Sequence, residues 1–178
     1  MKSVLISIKP EWCEMIANGK KTVEVRKTRP KLEAPFKCYI YCTKDFKPNT
    51  KYGYKMWAGR GKVIGEFVCD TFITDKTGGR DALFNAAACI NELEAASYSQ
   101  NKPLYGWHIS DLVIYDKPKE LSEFYKYCGD NPDCDSCGVY CYSNTEYGLE
   151  DYCCSKIEGC RPVNRPPQSW CYVEEVEE

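Results

Sequence analysis

Three charged residues fall within six positions of Lys21-Thr22-Val23-Glu24-Val25-Arg26. In an extended strand Val23 and Val25 share one face, and Thr22, Glu24 and Arg26 the other. Arg26 offers a planar fork for an oxyanion and Lys21 a mobile point charge, so the two suit a phosphate. Glu24 can accept a hydrogen bond from a base or sugar, or simply hold the arginine in place. The plainer alternative is an exposed ion pair at i, i+2, which contributes little.

The second chemical concentration is sulfur. Seven of the thirteen cysteines lie between positions 128 and 160: Cys128, Cys134, Cys137, Cys141, Cys153, Cys154 and Cys160. Cys134-x2-Cys137 has the spacing that brings two thiolates to one tetrahedral ion. The surrounding segment is rich in aspartate and glycine and too poor in aliphatic residues to build a core, so something must cross-link it. Structural zinc on four thiolates is the leading expectation: Cys134 and Cys137 with Cys128 and Cys160, and Cys141, Cys153 and Cys154 as alternates. Disulfides and free thiols remain open. No histidine stands among these cysteines, so the role is structural rather than catalytic. The other six cysteines sit among apolar residues and read as core.

The elements that must position these groups are short. Val4, Ile6 and Ile8 alternate with Leu5, Ser7 and Lys9, as in a half-buried strand. Pro10 suits the first turn of a helix carrying Trp12, Cys13, Met15 and Ile16, and Asn18-Gly19 marks its end. Further strands are expected at 20–26, 37–43, 62–70 (extending to Ile73), 107–115 (bent near Ser110-Asp111) and 169–173. Residues 44–62 and 74–80 read as loops, 81–88 and 91–98 as short helices, and Leu121 to Phe124 as a short helix or loop. One longer first helix among many short strands argues for a small α+β barrel.

The chain has 178 residues, 43% apolar and 28% charged, which suits one folded domain and not a disordered chain. A single domain over 1–178 with a Cys-rich insert at 126–164 is the expected organisation. No apolar run reaches the ~20 residues of a membrane span. The opening strand is too short for a secretory signal. Thirteen cysteines without an export signal point to the reducing cytoplasm. The lone His108 excludes a His-rich zinc hydrolase and reads as structural. Residues 1–62 carry 15 Lys and Arg against 5 Asp and Glu, a net of +10, and the remainder 9 against 21, a net of −12. That asymmetry suggests a basic face for an anionic partner, unless both are ordinary solvated faces.

Ser7-Ile8-Lys9-Pro10, followed by Ile16-x2-Gly19-x-Lys21-Thr22-Val23-Glu24-Val25-Arg26, resembles the signature of the ASCH family, within the PUA-like fold. Val63-Ile64-Gly65-Glu66-Phe67 and Tyr105-Gly106-Trp107-His108-Ile109 look like its later strands. Pro118-x-x-Leu121-Ser122-Glu123-Phe124 and Arg165-Pro166-Pro167-Gln168-Ser169-Trp170-Cys171-Tyr172-Val173 resemble short bacterial and phage members. The resemblance implies a small PUA-like β-barrel with flanking short helices, and a cleft suited to RNA or a nucleotide. Ser7 and Lys9 would line that cleft beside Lys21, Glu24 and Arg26. Tyr41 and Trp107 are candidate stacking platforms, though a tryptophan in an apolar strand is also a natural core residue. Lys27, Arg29, Lys31 and Lys44 could extend the path for a backbone.

The leading expectation is therefore an RNA- or nucleotide-binding module braced by a zinc-stapled insert. The alternative is a hydrolase, because some relatives deacylate N4-acetylcytidine and others act on RNA. That branch uses the motif lysine and a threonine three residues later as nucleophile, plus a separate glutamate. Here Lys21 and Glu24 would be the catalytic pair, with Glu24 in the threonine's place. Thr22 would have to replace the nucleophile, and Glu66, Glu92 or Glu94 could supply the second carboxylate. A carboxylate is a poor stand-in for an alkoxide. A protein-interaction module using the acidic insert is a third possibility.

Overall fold

A computed structural model describes residues 1–44, 59–127 and 162–176. In chain order the elements are β1 (Lys2–Ile8), α1 (Pro10–Ala17), β2 (Val23–Arg26), β3 (Phe36–Cys42), β4 (Val63–Cys69), β5 (Phe72–Asp75), α2 (Ala82–Ala87), α3 (Glu92–Ser99), β6 (Leu104–His108), β7 (Ser110–Lys119), a 3-10 turn (Leu121–Glu123) and β8 (Trp170–Glu174).

Five strands form one sheet in the order β7-β4-β3-β1-β8, and three form a second in the order β2-β6-β5. β1 and β3 run parallel, with Ser7 opposite Tyr41 and Ile8 opposite Cys42. Both therefore end on the same side of the sheet. The parallel pairing requires a crossover, and α1 and β2 lie within it.

The period-2 pattern in β1 separates two faces, but both are buried. Val4, Ile6 and Ile8 join Cys13 and Ile16 of α1, Cys38, Ile40 and Trp107 in the main cluster. Leu5 packs with Tyr39, Tyr41, Phe124, Val163 and Val173 on the other face. The expectation of a half-buried strand is thus corrected, because β1 sits inside its sheet and is covered from both sides. Each such fully buried aliphatic side chain contributes roughly 1.5–3 kcal/mol.

Helix ends follow local chemistry. Pro10 occupies the first turn of α1, and the chain turns at Gly19 with φ of +68°. Asp81 caps α2 by accepting from the Phe84 amide at 3.0 Å. Asn91 and Glu94 form a reciprocal capping box on α3. The first helix is not the long one expected: α1 and α3 have eight residues each.

The sheets are not closed into the barrel that was expected. The chain leaves β6 and enters β7 through Ile109, whose amide donates to Thr22 O at 2.9 Å, and Asp111 then adopts a φ of +45°. That bend transfers the chain from the small sheet to the large one without continuing the ladder. A second departure lies at 72–75, where β5 pairs with β6 instead of prolonging β4. Its last residue, Asp75, is buried and accepts from Thr77 and from the Gly79 amide. Among the described residues, no helix is long and apolar enough to cross a membrane.

Candidate functional site

The ends of β1 and β3, strand β2, helix α1, the start and outer face of α3 and residues 166–169 enclose a cleft of about 820 Å³. Its floor is the charged row. After α1 the turn at Gly19 brings Lys21 inward, where its ammonium donates to Ala88 O at 2.6 Å. The same Nζ lies 3.6 Å from Glu24 Oε2 and 5.0 Å from the Trp12 ring centre. Arg26 Nη2 lies 3.1 Å from Glu24 Oε1 and donates to Ser7 O at 2.5 Å. Lys21, Glu24 and Arg26 are 3%, 5% and 9% exposed, so they are a buried network and not a surface ion pair. Burial lowers the Lys21 pKa, and the Glu24 carboxylate pulls it partly back. Glu24 thus lies between two cations that would otherwise face each other.

β1 supplies the next wall. Ser7 Oγ donates to Pro167 O at 2.6 Å, and the Ser7 amide to Ser169 O at 2.9 Å. Lys9 stands exposed at the start of α1. Tyr41 lies beside Ser7 in register and lines the cleft, and burial raises its phenol pKa. Six of the seven expected ligand-contacting residues (Ser7, Lys9, Lys21, Glu24, Arg26 and Tyr41) therefore come together.

Trp107 does not join them. It is fully buried, packed edge-on against Phe36 at 6.0 Å and Phe72 at 5.9 Å. Its place on β6, covered by the large sheet, makes it a core residue and corrects the expectation of a stacking platform. The aromatics that do reach the cleft are Trp12, Tyr41 and Tyr98. Trp12 and Tyr98 were not singled out from sequence, since each reads as part of a helix's apolar side. The hint was available for Trp12, which shares the helix leading directly to Lys21. Thr43 was missed as well; it lines the cleft, and its hydroxyl is buried without a hydrogen-bond partner among the described residues.

Of the basic residues expected to extend the path, Lys44 reaches the cleft. Lys27 instead lies over the Tyr98 ring at 4.9 Å, Arg29 over Phe72 at 5.4 Å, and Lys31 is exposed. Among the candidate second carboxylates, Glu94 borders the cleft, whereas Glu66 pairs with Lys37 and accepts from Tyr115 elsewhere on the large sheet. Glu92 and Thr22 are exposed and lie outside the lining. His108 pairs with Asp70 at 2.7 Å outside the cleft.

Cys13, Cys38, Cys42 and Cys69 are buried, and Cys89 and Cys171 partly so. Cys128, Cys134, Cys137, Cys141, Cys153, Cys154 and Cys160 lie outside the described residues. Among the described residues, no three His, Cys, Asp or Glu side chains converge to hold a metal.

The two-sheet α+β arrangement sets a charged strand against the ends of a parallel strand pair. The ASCH domain family model matches residues 6–125, more than half of the chain, and the chain belongs to that family. Among solved structures, ASCH from Zymomonas mobilis is similar at 17% identity with a TM-score of 0.57, covering 97% of this chain and 88% of that one. A tyrosine-to-phenylalanine variant of the Zymomonas mobilis protein is similar at 22% identity, with a TM-score of 0.51 over 68% of this chain and 77% of that one. A serine-to-alanine variant is similar at 16% identity, with a TM-score of 0.57 over 97% and 89%. These likenesses concern the fold. A search of curated proteins found no match.

Proposed function

We propose that this ASCH protein is a cytoplasmic RNA- or nucleotide-binding module whose cleft takes a single unpaired nucleotide. The observation that carries this reading is the buried Lys21–Glu24–Arg26 row on the floor of a cleft that also presents Lys9, Lys44 and three aromatic rings. Cations at the mouth suit a phosphodiester, and aromatic faces suit a splayed base. The cleft volume is that of an ordinary small-ligand site. Binding is favoured over hydrolysis by two features. Thr22, the residue that would have to supply a hydroxyl nucleophile, lies outside the cleft lining. Lys21 Nζ is already engaged by Ala88 O and Glu24. The insert at 126–164 is proposed to be stapled by structural zinc on Cys128, Cys134, Cys137 and Cys160, a reading supported by the Cys134-x2-Cys137 spacing.

Fluorescence anisotropy with single-stranded RNA across a salt series tests the reading. Lys9 and Lys44 make no ion pair within the described residues, so Lys9→Ala/Lys44→Ala removes charge without breaking the floor. Affinity should fall, and the log–log salt slope should shrink by about 0.7 for each phosphate that is no longer neutralised. An unchanged slope, or turnover of N4-acetylcytidine that disappears in Lys21→Ala, would overturn the binder in favour of other ligands or of the hydrolase.

A further inference from the structure

We infer that the floor of the cleft selects a base whose pairing edge runs acceptor–donor–acceptor, which is uracil and not cytosine; the inference rests on the nucleotide-binding reading above. The floor runs donor, acceptor, donor. Lys21 has three N–H bonds, one directed to Ala88 O at 2.6 Å and one toward Glu24 at 3.6 Å, which leaves a third. On Arg26, Nη2 is occupied by Ser7 O and Glu24 Oε1, while Nη1 makes no hydrogen bond within the described residues. Each Glu24 oxygen receives one cation and keeps a lone pair. The spare capacity is therefore a cationic donor, an anionic acceptor and a second cationic donor, carried by Lys21 just before β2 and by Glu24 and Arg26 on it.

Uracil presents a carbonyl, an imide N–H and a second carbonyl, which complements that row at all three places. Cytosine presents an amino group, a ring-nitrogen lone pair and a carbonyl. Its amino group would face Lys21, and its lone pair would face the Glu24 carboxylate. Guanine matches two places and fails at the third, where its amino group meets Arg26. In a floor this buried, such mismatches leave polar groups unpaired, and the discrimination is about tenfold or more. Volume does not choose, since the cleft of about 820 Å³ admits either ring. The hydrogen-bonding edge does. Trp12 borders the same floor, with Lys21 Nζ 5.0 Å from its ring centre.

Anisotropy titrations with oligouridylate, oligocytidylate and an oligouridylate carrying N3-methyluracil test the inference at one salt concentration. The expected result is oligouridylate binding at least about tenfold more tightly than the other two, because the methyl group removes the imide donor. In Glu24→Gln, whose amide can donate as well as accept, the uracil-over-cytosine ratio should collapse. The methylated strand needs no protein variant, so the inference stays testable if Glu24→Gln fails to fold. Competition by uridine monophosphate would assign the edge to a free nucleotide, and competition by the strand alone to RNA; both keep the uracil selection. Equal affinity for uridylate and cytidylate strands would overturn the selection while RNA binding stands. Binding of neither would overturn the nucleotide-binding reading itself.

Discussion

At the scale of single residues, burial sets both the chemistry of the cleft and a stability limit of the core. Cys69 lies on β4 with its thiol pushed up to about 12, chiefly by burial and also by the neighbouring Asp70 carboxylate. Cys38 and Cys13 are raised in the same direction, mainly by burial. Below the ordinary thiol pKa of 9.0 these groups are protonated in both states and the stabilisation is fully present. Above it the unfolded chain releases protons that the folded chain retains, so stability falls as pH rises from 9.0 toward about 12. Lys21 acts with the opposite sign, because its lowered pKa lets the folded chain lose its proton first. The net expectation is a urea midpoint that declines at alkaline pH, and a shallower decline in Cys69→Ala. Parallel declines in the two proteins would show that this thiol does not contribute. The thiol core was legible in sequence for Cys13, Cys38, Cys42 and Cys69, whereas Cys89 and Cys171, also read as core, are only partly buried. The burial of the charged row was not legible, because an i, i+2 ion pair looks the same in sequence on a surface and on a floor.

At the scale of elements, two glycines hold different parts of the fold at close approach. In β4, a Cβ on Gly65 would lie 2.3 Å from Val113 O and 3.1 Å from Ile114 Cα, against the backbone of β7. In β6, a Cβ on Gly106 would lie 2.6 Å from Val23 Cγ1 and 2.7 Å from Phe84 Cε2. Gly106 is paired with Val25, and Val23 directly precedes Glu24, so this close approach sets where β2 presents its charges. Both Gly65→Ala and Gly106→Ala should cost about 1–3 kcal/mol in urea unfolding. Only Gly106→Ala should also weaken RNA binding measured on folded protein. Equal effects on affinity would mean that β2 is not positioned through β6. Period-2 alternation and the Pro10 and Asn18-Gly19 signals were enough to place most of these elements. The sequence marked a bend near Ser110-Asp111, but not that the chain changes sheet there, so the failure of the barrel to close was not legible. β5 was obscured for a similar reason: its residues follow β4 with only Asp70 and Thr71 between.

At the scale of the whole molecule, the cleft is built from segments far apart in sequence, and its last wall arrives after the cysteine-rich stretch. Residues 166–169 face the charged row, and Ser7 is held to Pro167 and Ser169. Sequence resemblance marked the 165–173 segment as familiar but could not place it on the cleft, since that requires knowing that β8 pairs antiparallel with β1. The described residues on either side of 128–161 are paired with each other or with β8. Tyr125 bridges Pro162, Val163 N donates to Phe124 O at 2.7 Å, and Tyr127 N donates to Tyr172 O at 3.2 Å. Because these ends already lie together, joining them closes only a short loop at small entropic cost. Replacing 128–161 by a short Gly-Ser linker should therefore leave a cooperatively folded protein that keeps its RNA affinity. If the seven cysteines of the insert carry zinc, metal analysis of the same variant should find that zinc gone. A variant that folds but no longer binds RNA would make the insert part of the binding surface. One that does not fold would show that the segment helps hold β8 on β1, and the zinc staple would then support the cleft itself.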